Sequence, residues 1–440
     1  MSTEVPARPP EDDEPRGGGG LTPGDEAPRS SRWRRPLAYL AVAGPGLIAA
    51  NAGNDAGGIA VYASAGSQYV YRTLFFMVLV TVGLVVVQEM SARLGAFTGK
   101  GLASLIREEF SVRLAALAVA CLLLSNVGLV VSEFAGIGAA FELFGVSRYI
   151  SIPLAAAVIW ALVLFGSYRY AERVFLVLTL AFLAYPVAAI LAHPHWKAVA
   201  LNTVLPHFLA SKDFIFVGVA LIGTTISPYM QLYAAAGIVD RGIGPDEYRL
   251  QRVDVVGGAL FANIISIFII IAAGATIGGM GPLSSAKQAA EALRPVAGAG
   301  AAVLFGLGLL GASALAGAVV PLSTSYAVSE AIGVERSVSR RFSEAPLFLG
   351  LFTAQVVIGA AVALLSHNLI RLLVGTQVLQ GVLTPVVLVF ILALANRRSL
   401  LGDAVNGPIF RRVAFVCVVA VAGLSSVYLI QTVLGLLGLA

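Results

Sequence analysis

The sequence predicts an all-α integral membrane protein of eleven spans, ten of them forming two inverted five-helix repeats, and three observations carry that prediction. Of the 440 residues, 58% are hydrophobic and 12% charged, whereas about a quarter of the residues of a soluble domain are charged. The apolar stretches are mostly long enough for the roughly 20 residues that cross a bilayer as helix, and they lack the polar alternation of a barrel strand. Finally, the first span of each half carries a short polar break, GNDAGG at Gly53 to Gly58 and GTTISPY at Gly223 to Tyr229.

Residues 1–36 are rich in Pro, Gly and charge and are expected to be disordered. Arg32, Arg34 and Arg35 then adjoin the first span, with Trp33 as an interfacial anchor. Spans are predicted near 37–66, 73–97, 113–143, 149–167 and 173–194, giving a first repeat over 37–194. A second set near 213–239, 255–278, 300–330, 345–365 and 369–395 gives a second repeat over 213–395, and 411–439 forms an eleventh span. With the N-terminus cytoplasmic, Arg93, Arg241, Arg249, Arg397, Arg411 and Arg412 gather on the inner side. Far fewer basic residues fall outside, which is the positive-inside pattern for a cytoplasmic N-terminus and an outer C-terminus.

That loop bias accounts for the net charge of +5 as basic loops facing anionic lipid, with no nucleic-acid partner. Cys121 and Cys417 lie inside apolar spans and offer neither a disulfide framework nor zinc spacing. No HExxH, GxSxG or pair of midplane aspartates occurs, so an enzyme is not expected, nor is a resident cofactor or an obligate protein partner. The expected partners are the bilayer and a transported solute.

An unwound stretch in lipid strands backbone groups at several kcal/mol each, so both breaks are expected to face a cavity or protein. Matched breaks in the first span of each half point to an inverted-repeat transporter with its site at the midplane. Gly53, Gly57 and Gly58 permit the unwinding, and Pro228 removes a helical hydrogen bond. Freed carbonyls near Ala52 and Thr224, beside the Asp55 carboxylate, suit a cation, because helix C-terminal ends are partly negative. The bland reading of Asp55 is a cap on a half-helix, satisfied by backbone N–H groups.

The first span, GPGLIAANAGNDAGG, resembles the GPG start and DPGN metal motif of the Nramp family of divalent-metal transporters. RLGAFTGKGLA, SEFAGIGAAFELFG and GTTISPYMQLY are similar to further family motifs in the same order, as are LFGLGLLGAS and the TQV to TP pattern of Thr376 to Pro385. The resemblance covers roughly 37–395 and implies the LeuT-type fold, with helices 1 and 6 unwound, and divalent-cation transport across a prokaryotic inner membrane.

The departures from the family pattern bear on the substrate. Asp55 is kept, but Gly58 replaces an Asn ligand, Ser227 a Met and Tyr229 a His, while Val130 stands for an Asp. Glu133 is retained, the family's tenth-span Gln aligns with Leu383, and Gln380 lies one turn earlier. A thioether favours soft or borderline metals, so its replacement by Ser227 removes a filter against hard ions. Gly58 and Ser227 are expected to enlarge the cavity for a partly hydrated Mg²⁺, which keeps several waters and few carboxylates. The pattern is similar to the prokaryotic Nramp-related magnesium branch, with Mg²⁺ as substrate and Mn²⁺ as a further candidate. Without the His and Asp of a proton relay, uptake is expected to be passive. Glu133, Tyr229, Gln377 and Gln380 are candidates for the path or gate, with Gln88 and Glu89 as supporting groups. Packing is the plain alternative for each. The rival functions are a proton-coupled Mn²⁺ or Fe²⁺ importer and a transporter of an organic amine or amino acid.

Overall fold

The computed structural model describes residues 55–164, 177–178, 180–209, 211–332 and 345–438. Ala56–Tyr69 (α1) is the described part of the first span, followed by Leu74–Thr98 (α2), the short Leu102–Glu109 (α3), Val112–Leu143 (α4) and Arg148–Leu164 (α5). Next come Ala184–Leu191 (α6), Trp196–Val204 (α7), the pair Lys212–Thr225 (α8) and Pro228–Asp240 (α9), and Tyr248–Thr276 (α10). Ala301–Ile332 (α11), Pro346–Leu365 (α12), Leu369–Ala395 (α13) and Pro408–Leu436 (α14) complete the set.

Eight helical stretches among the described residues are long and apolar enough to cross a membrane. The expected eleven rest also on the first, fourth and fifth spans, each of which adjoins residues outside the described set. Arg169 and Glu172, read from the sequence as an interfacial ion pair, lie outside it as well. The seventh span starts at Tyr248 rather than near 255. Its polar first turns are helical because Tyr248 and Gln251 are buried against the protein. The span reading also passed over α3, whose buried Leu102, Leu105 and Ile106 recur at helical spacing.

The break in the sixth span is realised as the gap between α8 and α9. Pro228 has no N–H to give the Thr224 carbonyl four residues back, so the first helix ends and Pro opens the second, where its fixed φ fits. A proline in α13 is handled differently. Pro385 leaves the Gly381 carbonyl without its helical donor, and Ser425 Oγ of α14 donates to that carbonyl at 2.8 Å.

Helices approach most closely at glycine. A Cβ on Gly66 of α1 would lie 2.5 Å from the Ile270 carbonyl oxygen of α10. A Cβ on Gly223 of α8 would lie 1.9 Å from the Gln377 carbonyl of α13, and one on Gly381 2.2 Å from the Val219 carbonyl. With no hydrophobic drive between helices in lipid, such backbone contact is how they associate. The reciprocal Gly223–Gly381 crossing holds α13 against the end of α8. Gly223→Ala should lower the melting temperature of the detergent-purified protein by at least about 5 °C, since even a methyl overlaps backbone; differential scanning fluorimetry measures it.

Candidate metal site

The site forms where α1 begins and α8 ends. Asp55 is the N-cap of α1, and its Oδ1 accepts from the Gly58 amide at 2.5 Å. Every residue of α1 from Ala56 to Ser67 is buried, so the positive helix end meets a carboxylate and not water. The capping role read as the bland alternative for Asp55 is therefore real, and it leaves the carboxylate aimed at the break. Gln377 Nε2 also donates to Oδ1, at 3.5 Å.

A buried relay continues from there. Gln380 Nε2 donates to Gln377 Oε1 at 2.8 Å, and Ser227 Oγ donates to Gln380 Oε1 at 2.6 Å. Asp55 is 6% exposed, Ser227 2%, and the two glutamines are fully buried. Four side chains thus join the two breaks through one turn of α13. Gln377 and Gln380, expected on the path, are its links, while Leu383 is only half-buried and outside it. The tenth-span amide that reaches Asp55 comes from Gln377, six residues before the aligned leucine, because the Gly223–Gly381 crossing sets which turn of α13 faces the break.

The structure corrects the expectation for Gly58. A Cβ there would fall 2.6 Å from Thr224 Oγ1 and 3.1 Å from Asp55 Oδ1, so the room left by the missing Asn is taken up by the Thr224 side chain. The cavity is not enlarged on that side. Thr224 was expected to offer its carbonyl; its hydroxyl is an additional oxygen, buried and without a hydrogen-bond partner among the described residues. Sequence reasoning missed this hydroxyl, although a Thr in the last turn before a proline was a visible signal. Ala52, the other expected carbonyl donor, lies outside the described residues.

Glu133 of α4 is fully buried, its carboxyl oxygens having no close hydrogen-bond partner among the described residues and lying toward the Ala56 amide. One turn on, a Cβ on Gly136 would touch the Ala56 Cβ at 2.5 Å, which places Glu133 beside the start of α1. Tyr229 is buried at the start of α9, its ring 5.9 Å from that of Tyr233. Glu89, expected as a supporting group, sits elsewhere, at the far end of α2. It pairs with Arg93 at 3.1 Å and Arg252 at 3.4 Å and accepts from the Tyr248 hydroxyl at 3.0 Å. Arg93 in turn donates to the Ala404 carbonyl at 2.8 Å and to Asn406. Gln88 is half-buried beside this knot.

No group of three His, Cys, Asp or Glu residues able to hold a metal occurs among the described residues. One carboxylate, two hydroxyls and two amides, all buried and all bearing oxygen, suit a mobile ion better than a resident one. Long apolar helices packed around the start of α1 and the α8–α9 break have the architecture of a multi-pass membrane protein. Comparison with known proteins gives the kind: the family model described as "Natural resistance-associated macrophage protein-like" matches residues 46–431, and the chain belongs to the Nramp family. Among curated relatives, "Divalent metal cation transporter MntH" of Ralstonia nicotianae is 30% identical, with 91% of this chain and 92% of that one covered. A protein of the same name from Acidiphilium cryptum is 27% identical over 91% and 92%. Among solved structures, a manganese transporter of Eremococcus coleocola has the same fold, with a TM-score of 0.73 at 19% identity over 94% of this chain and 90% of that one.

Because a methyl on Gly58 would meet the Thr224 hydroxyl, Gly58→Ala should destabilise the protein and Thr224→Ala should cancel most of that loss. Melting temperatures of the two single variants and the double variant would show a coupling of at least about 1 kcal/mol.

Proposed function

We propose that the chain carries Mg²⁺ inward across a prokaryotic inner membrane, passively, with Asp55 as its anionic ligand. We further propose the LeuT-type arrangement of two inverted repeats over 37–194 and 213–395, with a cytoplasmic N-terminus and an outer C-terminus. The observation that carries the reading is the donor set: Asp55, Thr224, Ser227, Gln377 and Gln380 supply oxygen and no sulfur. Hard cations prefer such ligands, and a thioether that would favour Mn²⁺ over Mg²⁺ is missing. Family membership supports a divalent cation as the substrate class.

The relay suggests how binding is felt. A cation beside Asp55 cannot face the N–H of Gln377, so that amide must turn to present Oε1. Its Nε2 then faces Gln380, which turns in the same way and donates to Ser227, whose hydroxyl can accept as well as donate. Reversal keeps both amides paired, with the Ser227 hydroxyl now accepting. Passive transport is supported by Tyr229 standing where the family pattern has His, and by the four histidines lying at 193, 195, 207 and 367, outside the broken helices.

Reconstituted wild type should take up Mg²⁺ without acidifying the liposome lumen. Asp55→Asn should abolish uptake while keeping the cap and hence the melting temperature, since Asn caps as well as Asp. Lumen acidification in step with the metal would instead mark the rival proton-coupled Mn²⁺ importer. Ser227→Met should raise the ratio of Mn²⁺ to Mg²⁺ uptake severalfold. Gln380→Leu should weaken Mg²⁺ binding about tenfold, since the turned Gln377 amide then has no acceptor; isothermal titration gives the Kd.

A further inference from the structure

Away from the metal site, a groove of about 730 Å³ runs along the outside of the molecule between α2, α8 and α14. Leu79 and Gly83 of α2 and Val416 and Ala420 of α14 form its sides, and Ile222 and Ile226, at the end of α8, form its floor. Gly83 keeps the groove deep, for a Cβ there would come within 3.1 Å of Ile226 Cδ1. The floor thus includes the last residues before the α8–α9 break, and Ser227, Gln377 and Gln380 are not among the described lining residues.

Among the described lining residues Arg412 alone is charged. It is exposed and makes no ion pair among the described residues. It also sits near the positive end of α14, where the helix dipole disfavours a cation, so the helix does not account for it. From Arg412 to Val427 the groove follows sixteen residues of α14, about 22 Å of helix. This exceeds one leaflet of the roughly 30 Å hydrocarbon core, so a whole acyl chain fits lengthwise from a headgroup at Arg412. An unfilled apolar groove would forfeit the dispersion contacts of its walls.

We propose that this groove is a binding site for one anionic phospholipid of the leaflet in which α14 begins, its headgroup on Arg412 and one acyl chain lying against Ile222 and Ile226. A net negative headgroup is favoured over a zwitterionic one because Arg412 then meets no compensating ammonium. The chain supplies the outer wall of the sixth-span break, so the lipid becomes part of the scaffold that α8 and α9 move against. The site does not depend on which ion is transported.

The test is native mass spectrometry of the full-length protein in neutral detergent, titrated with phosphatidylglycerol or phosphatidylcholine of identical chains. Wild type should hold phosphatidylglycerol about fivefold more tightly, the preference that one membrane-surface arginine provides. Arg412→Gln should bind both lipids alike. Ala420→Trp, at an exposed position where the ring displaces lipid and not core, should weaken both, whereas Val357→Trp on the exposed face of α12 should change neither. A phosphatidylglycerol preference that survives Arg412→Gln overturns the headgroup assignment. Equal binding by the Ala420→Trp and Val357→Trp variants overturns the site and leaves only annular lipid.

Discussion

Ending a helix inside a membrane frees backbone groups where no water can satisfy them, and the rest of this structure follows from how that is managed twice. At the start of α1 the freed amides receive a carboxylate, Asp55, on the positive helix end. At the end of α8 the freed carbonyls are created by Pro228 and held beside hydroxyls and amides. Unlike helix ends thereby meet, and the polar side chains between them satisfy both.

The glycine crossings then decide which side chains share that space. Gly66 seats α1 on α10 and Gly223 seats α8 on α13, each by contact between backbones. Because Gly223 and Gly381 interlock, the turn carrying Gln377 and Gln380 has one available register. A site assembled this way is rigid in its frame and adjustable only in its side chains, which fits a relay of two amides and a hydroxyl whose hydrogen bonds can reverse without loss.

Much of this was legible in the sequence. Hydrophobic runs placed α2, α4, α12 and α13 to within a residue or two, and the polar breaks marked Asp55 and Ser227, since Gly, Pro and a lone Asp have few other uses at that depth. What was not legible depended on contact between distant segments. Gly58 read as empty space because nothing local reveals that Thr224, far along the chain, fills it. Gln377 was read only as a path candidate, and Gln380 as the stand-in for the aligned Leu383, because motif alignment counts residues, whereas the helix crossing sets the turn. The polar start of α10 looked like loop until Tyr248 was seen to reach Glu89 on another helix.

The knot around Glu89 has a mechanical meaning. It binds α2 to α10 through Tyr248 and Arg252, and through Arg93 to the segment linking α13 with α14. Three widely separated stretches of chain are therefore pinned at one end, like spokes at a hub. Helices fastened there cannot slide independently. The second half of the sixth span, α9, is tied to the same end of α2, for Ser91 donates to Gln231 at 3.4 Å and a Cβ on Gly95 would lie 2.6 Å from the Ala235 carbonyl oxygen. Any displacement of α9 would therefore carry α2, and the hub with it.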